Sequence, residues 1–490
     1  MPGTDICLKI GGYARAETTY HSNGNFAGGP TAGDVNNRTT SEFVMRARAY
    51  ITADAREQTA WGTARAYVAV GVATTDVGNA LTPAILGFNR AFIQWAGMTA
   101  GITQSFYDFM AYAALNYRAY WPNGATGDAG WWVWAYTAQL GNGLSATISA
   151  EQRRMSQIVG TVGSPAGAPL APVFVSGALG GTPSLVPGTS FANALGYGGI
   201  NSPDIVGNIR YDQTWGSAQI TGVAHEVNAN YYGPSTLSNG ISETGHPGDT
   251  WGWGVSAGLR VNFPWLAQGD YFVTQAGYSQ GALRYFAQGD GTPNFGWERG
   301  HDLGFGVLSD CVFASTNGGI GAGGAIVPVT NPTGCNLTTG WQVNAGFEHY
   351  WTPQFHESFY GGITEVRYNS QANAILCTAE GASANGLSGS LARAAGGCNN
   401  NWDLWTAGTR FQYDFTKTLY IGVDFLYSHL DSASLPGSAL TTANSTALLP
   451  ANNDLACAGV TTAAVNTPCA HIKSMDNLAV TLRMHKDFLP

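Results

Sequence analysis

The sequence predicts an all-β fold: one 16-stranded antiparallel transmembrane β-barrel domain over residues 1–490, with long extracellular loops at one end and short periplasmic turns at the other. Three features carry this expectation. Apolar and polar residues alternate with period two in short runs, the charges occupy one phase of that alternation, and the connections between runs are alternately short and long.

The first run, ICLKIGGYARAETTY at 6–20, sets Leu8, Ile10, Gly12, Ala14, Ala16, Thr18 and Tyr20 on one face and Lys9, Tyr13, Arg15 and Glu17 on the other, the two-sided pattern of a strand. The second, 41–55, sets Phe43, Met45, Ala47, Ala49, Ile51 and Ala53 against Glu42, Arg46, Arg48, Tyr50 and Asp54; the third, 59–74, sets Ala64, Ala66, Val68, Val70 and Val72 against Thr63, Arg65 and Tyr67. Every charge among these residues lies in the polar phase, which random placement would rarely produce. The apolar face is built of Ala, Gly, Val and Thr rather than bulky core fillers, which suits contact with lipid better than the close packing of a soluble core.

Further strands are expected near 86–97, 100–107, 130–141, 144–155, 203–213, 216–227, 251–264, 270–281, 339–350, 356–369, 401–414, 418–429 and 475–488. Short turns fall at 55–58, 97–99, 141–143, 213–216, 352–354 and 415–417; long loops cover about 21–40, 75–85, 108–129, 156–202, 228–250, 282–338, 370–400 and 430–474. Loops sorted by length to opposite ends are the up-and-down topology of a membrane barrel, whereas Greek-key sandwiches and propellers do not sort them. Trp132, Trp134, Tyr136, Trp251, Trp253 and Trp341 open strands after long loops, while Trp95, Phe263 and Trp265 lie beside short turns. Two aromatic belts one membrane thickness apart are the expected anchors.

Composition excludes other classes. Charged residues make up 11% of the chain against about 25% in typical domains. No window holds the roughly 18 apolar residues of a spanning helix, and the mean hydropathy of −0.06 averages two opposite strand faces. Net charge is −9 with no Lys/Arg-rich run, so nucleic acid is not an expected partner. Met1 leads straight into PGTDICLKIGG with no basic and apolar leader; the expected reading is a mature or trimmed chain in the bacterial outer membrane, its signal peptide removed.

Seven cysteines sharpen that placement. Cys311 and Cys335, Cys377 and Cys398, and Cys457 and Cys469 form local pairs inside long loops, each bracketing a stretch rich in small residues. Disulfides there are expected to add roughly 2–4 kcal/mol each and persist only in an oxidising compartment. Zinc is unsupported, because there is no CxxC and no His at ligand spacing. Cys7 is left over, which suggests a missing upstream segment.

Sixteen strands enclose a lumen too wide for side chains to fill, so the expected function is passive diffusion of small hydrophilic solutes and ions, with no catalysis, cofactor or metal. Lys9, Arg15, Arg46, Arg48 and Arg65 build a basic wall on three consecutive strands, and Arg90 extends it. If the third long loop folds into the lumen, its Asp108 and Asp128 confront those arginines and a transverse field crosses the constriction. The plainer alternative is that the arginines pair with inward carboxylates and stiffen the wall.

PGTDICLKIGGYARAE at the start, RAFIQWAGMTAGITQSFYDF at 90–109 and the terminal RMHKDFLP resemble the general porins of alphaproteobacterial outer membranes, with scattered agreement from end to end. That resemblance implies a water-filled homotrimer narrowed by its third loop, embedded among outer-membrane lipid and lipopolysaccharide. Family members carry residues before PGT that include a partner for Cys7, and here Phe488 is followed by Leu489 and Pro490 where an aromatic terminus is usual. The loops at 156–202 and 430–474 match no motif. A substrate-selective channel or a non-conducting surface barrel are the alternatives. Gly277–Gly281 fits the GxSxG nucleophile motif and Gly319–Gly324 fits GxGxxG, yet neither precedes a helical pattern; His349 and His356 straddle a turn.

Overall fold

A computed structural model describes residues 5–21, 34–36, 42–76, 85–110, 115–117, 130–162, 196–232, 245–285, 294–299, 302–315, 319–320, 326–327, 329–381, 398–434, 439–441 and 468–489. Its body is a closed antiparallel barrel of sixteen strands. They are β1 (Cys7–His21), β2 (Phe43–Thr59), β3 (Gly62–Thr75), β4 (Ile85–Trp95), β5 (Met98–Thr103), β6 (Trp131–Gly141), β7 (Leu144–Glu151) and β8 (Asp204–Gln213), then β9 (Gly216–Val227), β10 (Thr250–Asn262), β11 (Tyr271–Gln280), β12 (Thr339–Tyr350), β13 (Phe355–Arg367), β14 (Trp402–Thr416), β15 (Leu419–Asp431) and β16 (Met475–Leu489). Strands adjacent in sequence are adjacent in the barrel, and β16 closes the ring on β1, with Ala16 opposite Met484 and Thr18 opposite Leu482. Closure gives each strand a partner on both sides, which lipid demands of every backbone N–H and C=O.

The alternation sorts side chains as the sequence anticipates. Leu8, Ile10, Met45, Ile51 and Val68 are exposed on the outside, while Glu17, Thr19 and Tyr50 are buried within. Charged side chains that face outward on the described strands, such as Glu57, Glu365, Arg367, Asp403, Asp476 and Lys486, lie within four residues of a strand end. Trp132, Trp134, Trp251 and Trp253 are exposed at the loop end, and Trp95 and Trp265 at the turn end.

The boundaries shift in three places. β2 continues through 55–58 to Thr59, because Arg56 and Gln58 keep pairing with Arg65 and Thr63, so that turn is Ala60–Trp61. β5 stops at Thr103 instead of reaching 107, and β7 stops at Glu151 instead of 155. Both chains leave the wall for polar partners the ladder lacks: the Phe106 N–H donates to Glu151 Oε1 at 3.0 Å and the Arg154 N–H to Asp204 Oδ2 at 3.0 Å. Between β6 and β7, Asn142 and Gly143 both take left-handed φ of 51° and 79°, the two-residue turn whose twist suits a hairpin.

Segments expected as plain loops carry structure. Cys311–Ser315 pairs in parallel with Ile158–Val162 and antiparallel with Asn336–Leu337. They cover a core of Ile158, Tyr197, Val227, Tyr232 and Phe313. Helix α1 (Ser370–Gly381) starts where Asn369 Oδ1 accepts the Ala372 N–H at 2.8 Å, an N-cap. Disulfides join Cys311 to Cys335 and Cys377 to Cys398, with Cα separations of 5.5 and 6.0 Å. Cys457 and the side chain of Cys469 lie outside the described residues. Cys7 is exposed at the start of β1. Ser279 lies in β11, paired with Gly254 and Gly340 rather than on a nucleophile turn, and Gly321–Gly324 lies outside the described residues.

Candidate functional site

Along β1, β2, β3 and β16 the inward side chains are predominantly cationic: Lys9, Arg15, Arg46, Arg48, Arg56, Arg65 and Arg483 face only Glu17, Asp54 and Asp487. Glu17 and Asp54 are therefore each shared. Glu17, whose side chain is 1% exposed, accepts Arg46 Nε at 2.6 Å, pairs with Arg483, and stands 4.0 Å from Arg15 Nη1. Asp54 takes both Nε and Nη2 of Arg65 at 3.0 Å and also holds Arg56. Arg48 reaches the Tyr50 hydroxyl at 3.4 Å, Arg90 donates to the Asn89 carbonyl at 2.7 Å, and Lys9 sits opposite Asp54 in register near the turn end. The pairing alternative has support at Arg46, Arg56 and Arg65, and the inner face of these strands, braced by carboxylates, still carries more cations than anions.

The described parts of the third loop, Ser105–Met110 and Leu115–Tyr117, run along the wall from β7 round to β16. The Met110 N–H donates to Gln275 Oε1 at 3.1 Å on β11, and the Tyr117 N–H to Asp424 Oδ2 at 2.5 Å on β15. Inward-facing glycines receive its side chains: Phe109 lies over Gly258, Leu115 over Gly346 and the Tyr117 hydroxyl over Gly422, where any Cβ would overlap them. The Tyr117 hydroxyl donates to Gln412 Oε1 at 2.9 Å, and Arg483 and Arg410 lie 4.2 and 5.5 Å from its ring centre. Arg410 is held in turn by both oxygens of Glu348, at 2.9 and 2.8 Å.

Asp108 does not confront the arginines of β1–β3. Its Oδ1 accepts Arg154 Nη2 at 2.8 Å, with side chains 1% and 2% exposed, because the early end of β5 turns the loop toward the β7–β8 wall. Asp128 lies outside the described residues. Removing one partner of a buried ion pair leaves the other charge desolvated and costs about 3–5 kcal/mol. Asp108→Ala is therefore expected to lower the urea midpoint of the reconstituted barrel and to open the third loop to protease. An unchanged midpoint and cleavage pattern would mean that Arg154 is satisfied without Asp108.

A second polar network ties the mouth together. Asp204 Oδ1 bonds His225 Nδ1 at 2.7 Å, His225 Nε2 meets the Tyr197 hydroxyl at 3.0 Å, and that hydroxyl donates to Asp310 Oδ2 at 2.5 Å. Tyr285 donates to Asp204 Oδ2 at 2.7 Å. Burial pushes the Tyr197 and Tyr285 hydroxyls well above their ordinary pKa, so both remain protonated donors. His225 faces a tyrosine rather than a serine or cysteine, and the network pins two long loops to β8 and β9. His349 bonds Asp270 Oδ2 at 2.6 Å and His356 bonds Glu348, on opposite faces of the wall.

Glu17, Arg154, Glu348, Arg410, Asp424 and Arg483 were absent from the sequence-based set. Arg410 and Arg483 obey the same inward phase as Arg46, so extending the phase test to the last strands would have found them. Tyr117 had no such signal.

A closed sixteen-strand antiparallel barrel is the arrangement the comparisons match. The family described as Porin subfamily matches residues 1–459. The chain belongs to this family. The porin is an outer-membrane β-barrel. It is similar to y4fJ of Sinorhizobium fredii, a protein carrying an outer-membrane name, with 33% identity over 117 residues. That match covers 22% of this chain and 30% of that protein, so it spans less than a third of the relative's length. Among solved structures, the outer-membrane channel DcaP of Acinetobacter baumannii superposes with a TM-score of 0.56 at 14% identity, covering 99% of this chain and 97% of that one. OprB of Pseudomonas putida gives 0.45 at 9% identity, covering 98% and 94%.

Proposed function

We propose that this porin is a passive-diffusion channel for small hydrophilic solutes and ions, assembled as a homotrimer in the outer membrane. Family and fold point to a channel rather than an enzyme. One observation supports the reading above others: the described loop residues line the wall from β7 to β16, leaving the arc of β1, β2 and β3 with its arginines turned to the lumen. Solutes would then pass between a docked loop and a basic wall, selected by size and charge. Asp128 and the rest of the third loop belong to this proposal as further lining of the constriction. The trimer is favoured by the outer face of β1–β3 and β16, where Ala14, Ala16, Ala47, Ala49, Val72 and Met484 line a shallow depression of about 420 Å³; such small residues let a neighbouring copy approach closely.

Purified protein in planar bilayers is expected to give ohmic conductance steps in potassium chloride, closing in three equal sublevels per insertion. A saturable current carried by one solute class would favour a substrate-selective channel. No steps at all would sink the channel reading.

A further inference from the structure

At the mouth, His225 and Tyr197 sit between two carboxylates, Asp204 and Asp310, to which no described lysine or arginine side chain bonds; all four residues are 0% exposed. Asp204 accepts the Arg154 N–H at 3.0 Å, the Tyr285 hydroxyl at 2.7 Å and His225 Nδ1 at 2.7 Å. Asp310 accepts the Leu283 N–H on Oδ1 at 2.7 Å, and on Oδ2 the Ser156 N–H at 2.9 Å and the Tyr197 hydroxyl at 2.5 Å. The cations nearby are engaged elsewhere: Arg154 with Asp108 at 2.8 Å, and Arg153 with the Glu226 carbonyl at 2.7 Å and its carboxylate at 3.9 Å. Glu151 is a further carboxylate, held by the Phe106 N–H and the Ser149 hydroxyl.

We propose that one buried proton, carried by His225, locks these elements together, and that its loss as pH rises loosens them. The hydrogen-bond roles count the proton. The Tyr197 hydroxyl has a single hydrogen and an ionised carboxylate only accepts. The bond to Asp310 uses that hydrogen, so the Tyr197 oxygen accepts from His225 Nε2, 3.0 Å away. Nδ1 faces the acceptor Asp204 Oδ1. Both ring nitrogens therefore donate, which only the imidazolium can do. Moving the proton to Asp310 is disfavoured by the N–H groups on both of its oxygens, which favour the ionised form. Nε2 also stands 4.0 Å from Asp310 Oδ2, so the one cation offsets both carboxylates. A neutral ring has one N–H to give. Without the proton, Tyr197 either turns its hydrogen to Nε2 and leaves Asp310, or meets Nε2 lone pair to lone pair. Either way the tie between the chain at Tyr197 and the chain at Asp310 goes, and two uncompensated buried charges favour openings that admit water. The consequence reaches the third loop: the Tyr285 ring meets Tyr107 at 4.6 Å and lies 4.5 Å from the Arg154 guanidinium that holds Asp108.

Hydrogen exchange on the full chain in lipid vesicles, with rates corrected for base catalysis, tests this from about pH 6 to about pH 10. Opening sheds one proton, so above the midpoint the protection of peptides carrying Arg154, Ser156 and Leu283 is expected to fall about tenfold per pH unit, while peptides from β1–β3 keep theirs. His225→Gln retains an amide donor but has no proton to lose, so its protection is expected to be lower at neutral pH and flat above it. Tyr197→Phe breaks the link to Asp310 and leaves His225 on Asp204; it is expected to move the fall to lower pH, and it carries the test if His225→Gln does not fold. Wild-type protection that stays level across the range, or either variant repeating the wild-type profile, overturns the lock. The lock requires the fold and not conduction, so its failure leaves the channel reading intact.

Discussion

Tyr117→Ala is expected to release the end of the third loop from the wall and add a second, larger conductance level to single-channel records. The ring is clamped between Arg483 and Arg410, and its hydroxyl donates to Gln412. Truncation removes a partly desolvated cation–π contact and a side-chain hydrogen bond, together about 3 kcal/mol, or roughly a hundredfold in the undocked population. The backbone bond from Tyr117 to Asp424 survives, and both arginines keep Glu17 and Glu348, so the barrel itself should stay intact. Tyr117→Phe retains the ring and loses only the hydroxyl bond, so its records should lie between those of wild type and Tyr117→Ala. Identical conductance histograms for wild type and Tyr117→Ala would show that this tyrosine does not hold the constriction.

The second large effect separates the two faces of one strand. Ile51 is 56% exposed on the outer face near the middle of β2, and Thr52 is the next residue, turned inward. Arginine on the lipid face at the midplane costs about 2–4 kcal/mol, whereas lumen positions tolerate charge. Ile51→Arg is expected to fold poorly into lipid vesicles, read as loss of the fast-migrating unboiled band, while Thr52→Arg folds normally and adds one more cation to the basic wall. Equal folding of the two variants would mean that residue 51 does not face lipid.

Much of the architecture was legible because a strand displays its environment locally. Successive side chains face opposite ways, so the confinement of Arg15, Arg46, Arg48 and Arg65 to one phase was enough to assign inside and outside, and the strand count followed from repetition. The cysteine pairs in the sixth and seventh long loops were legible for a similar reason, since closely spaced partners in one loop have few alternatives. The boundaries that moved, at Thr103 and Glu151, are those where the chain leaves the ladder for buried polar partners. QSFYDF mixes polar and apolar residues in both phases, so periodicity fades there without showing where the chain goes.

The sequence by itself determined the barrel and the sign of its first inner wall, because each depends on residues one or two apart. Only the tertiary structure decided what those groups meet. Closure of β16 onto β1 brings Arg483 to Glu17; the path of the third loop sends Asp108 to Arg154 rather than to Arg46, and carries Tyr117 to Asp424, 307 positions along the chain. Such pairings are set by ring closure and by which glycines leave room at Gly258, Gly346 and Gly422, and no local period encodes distances of that kind.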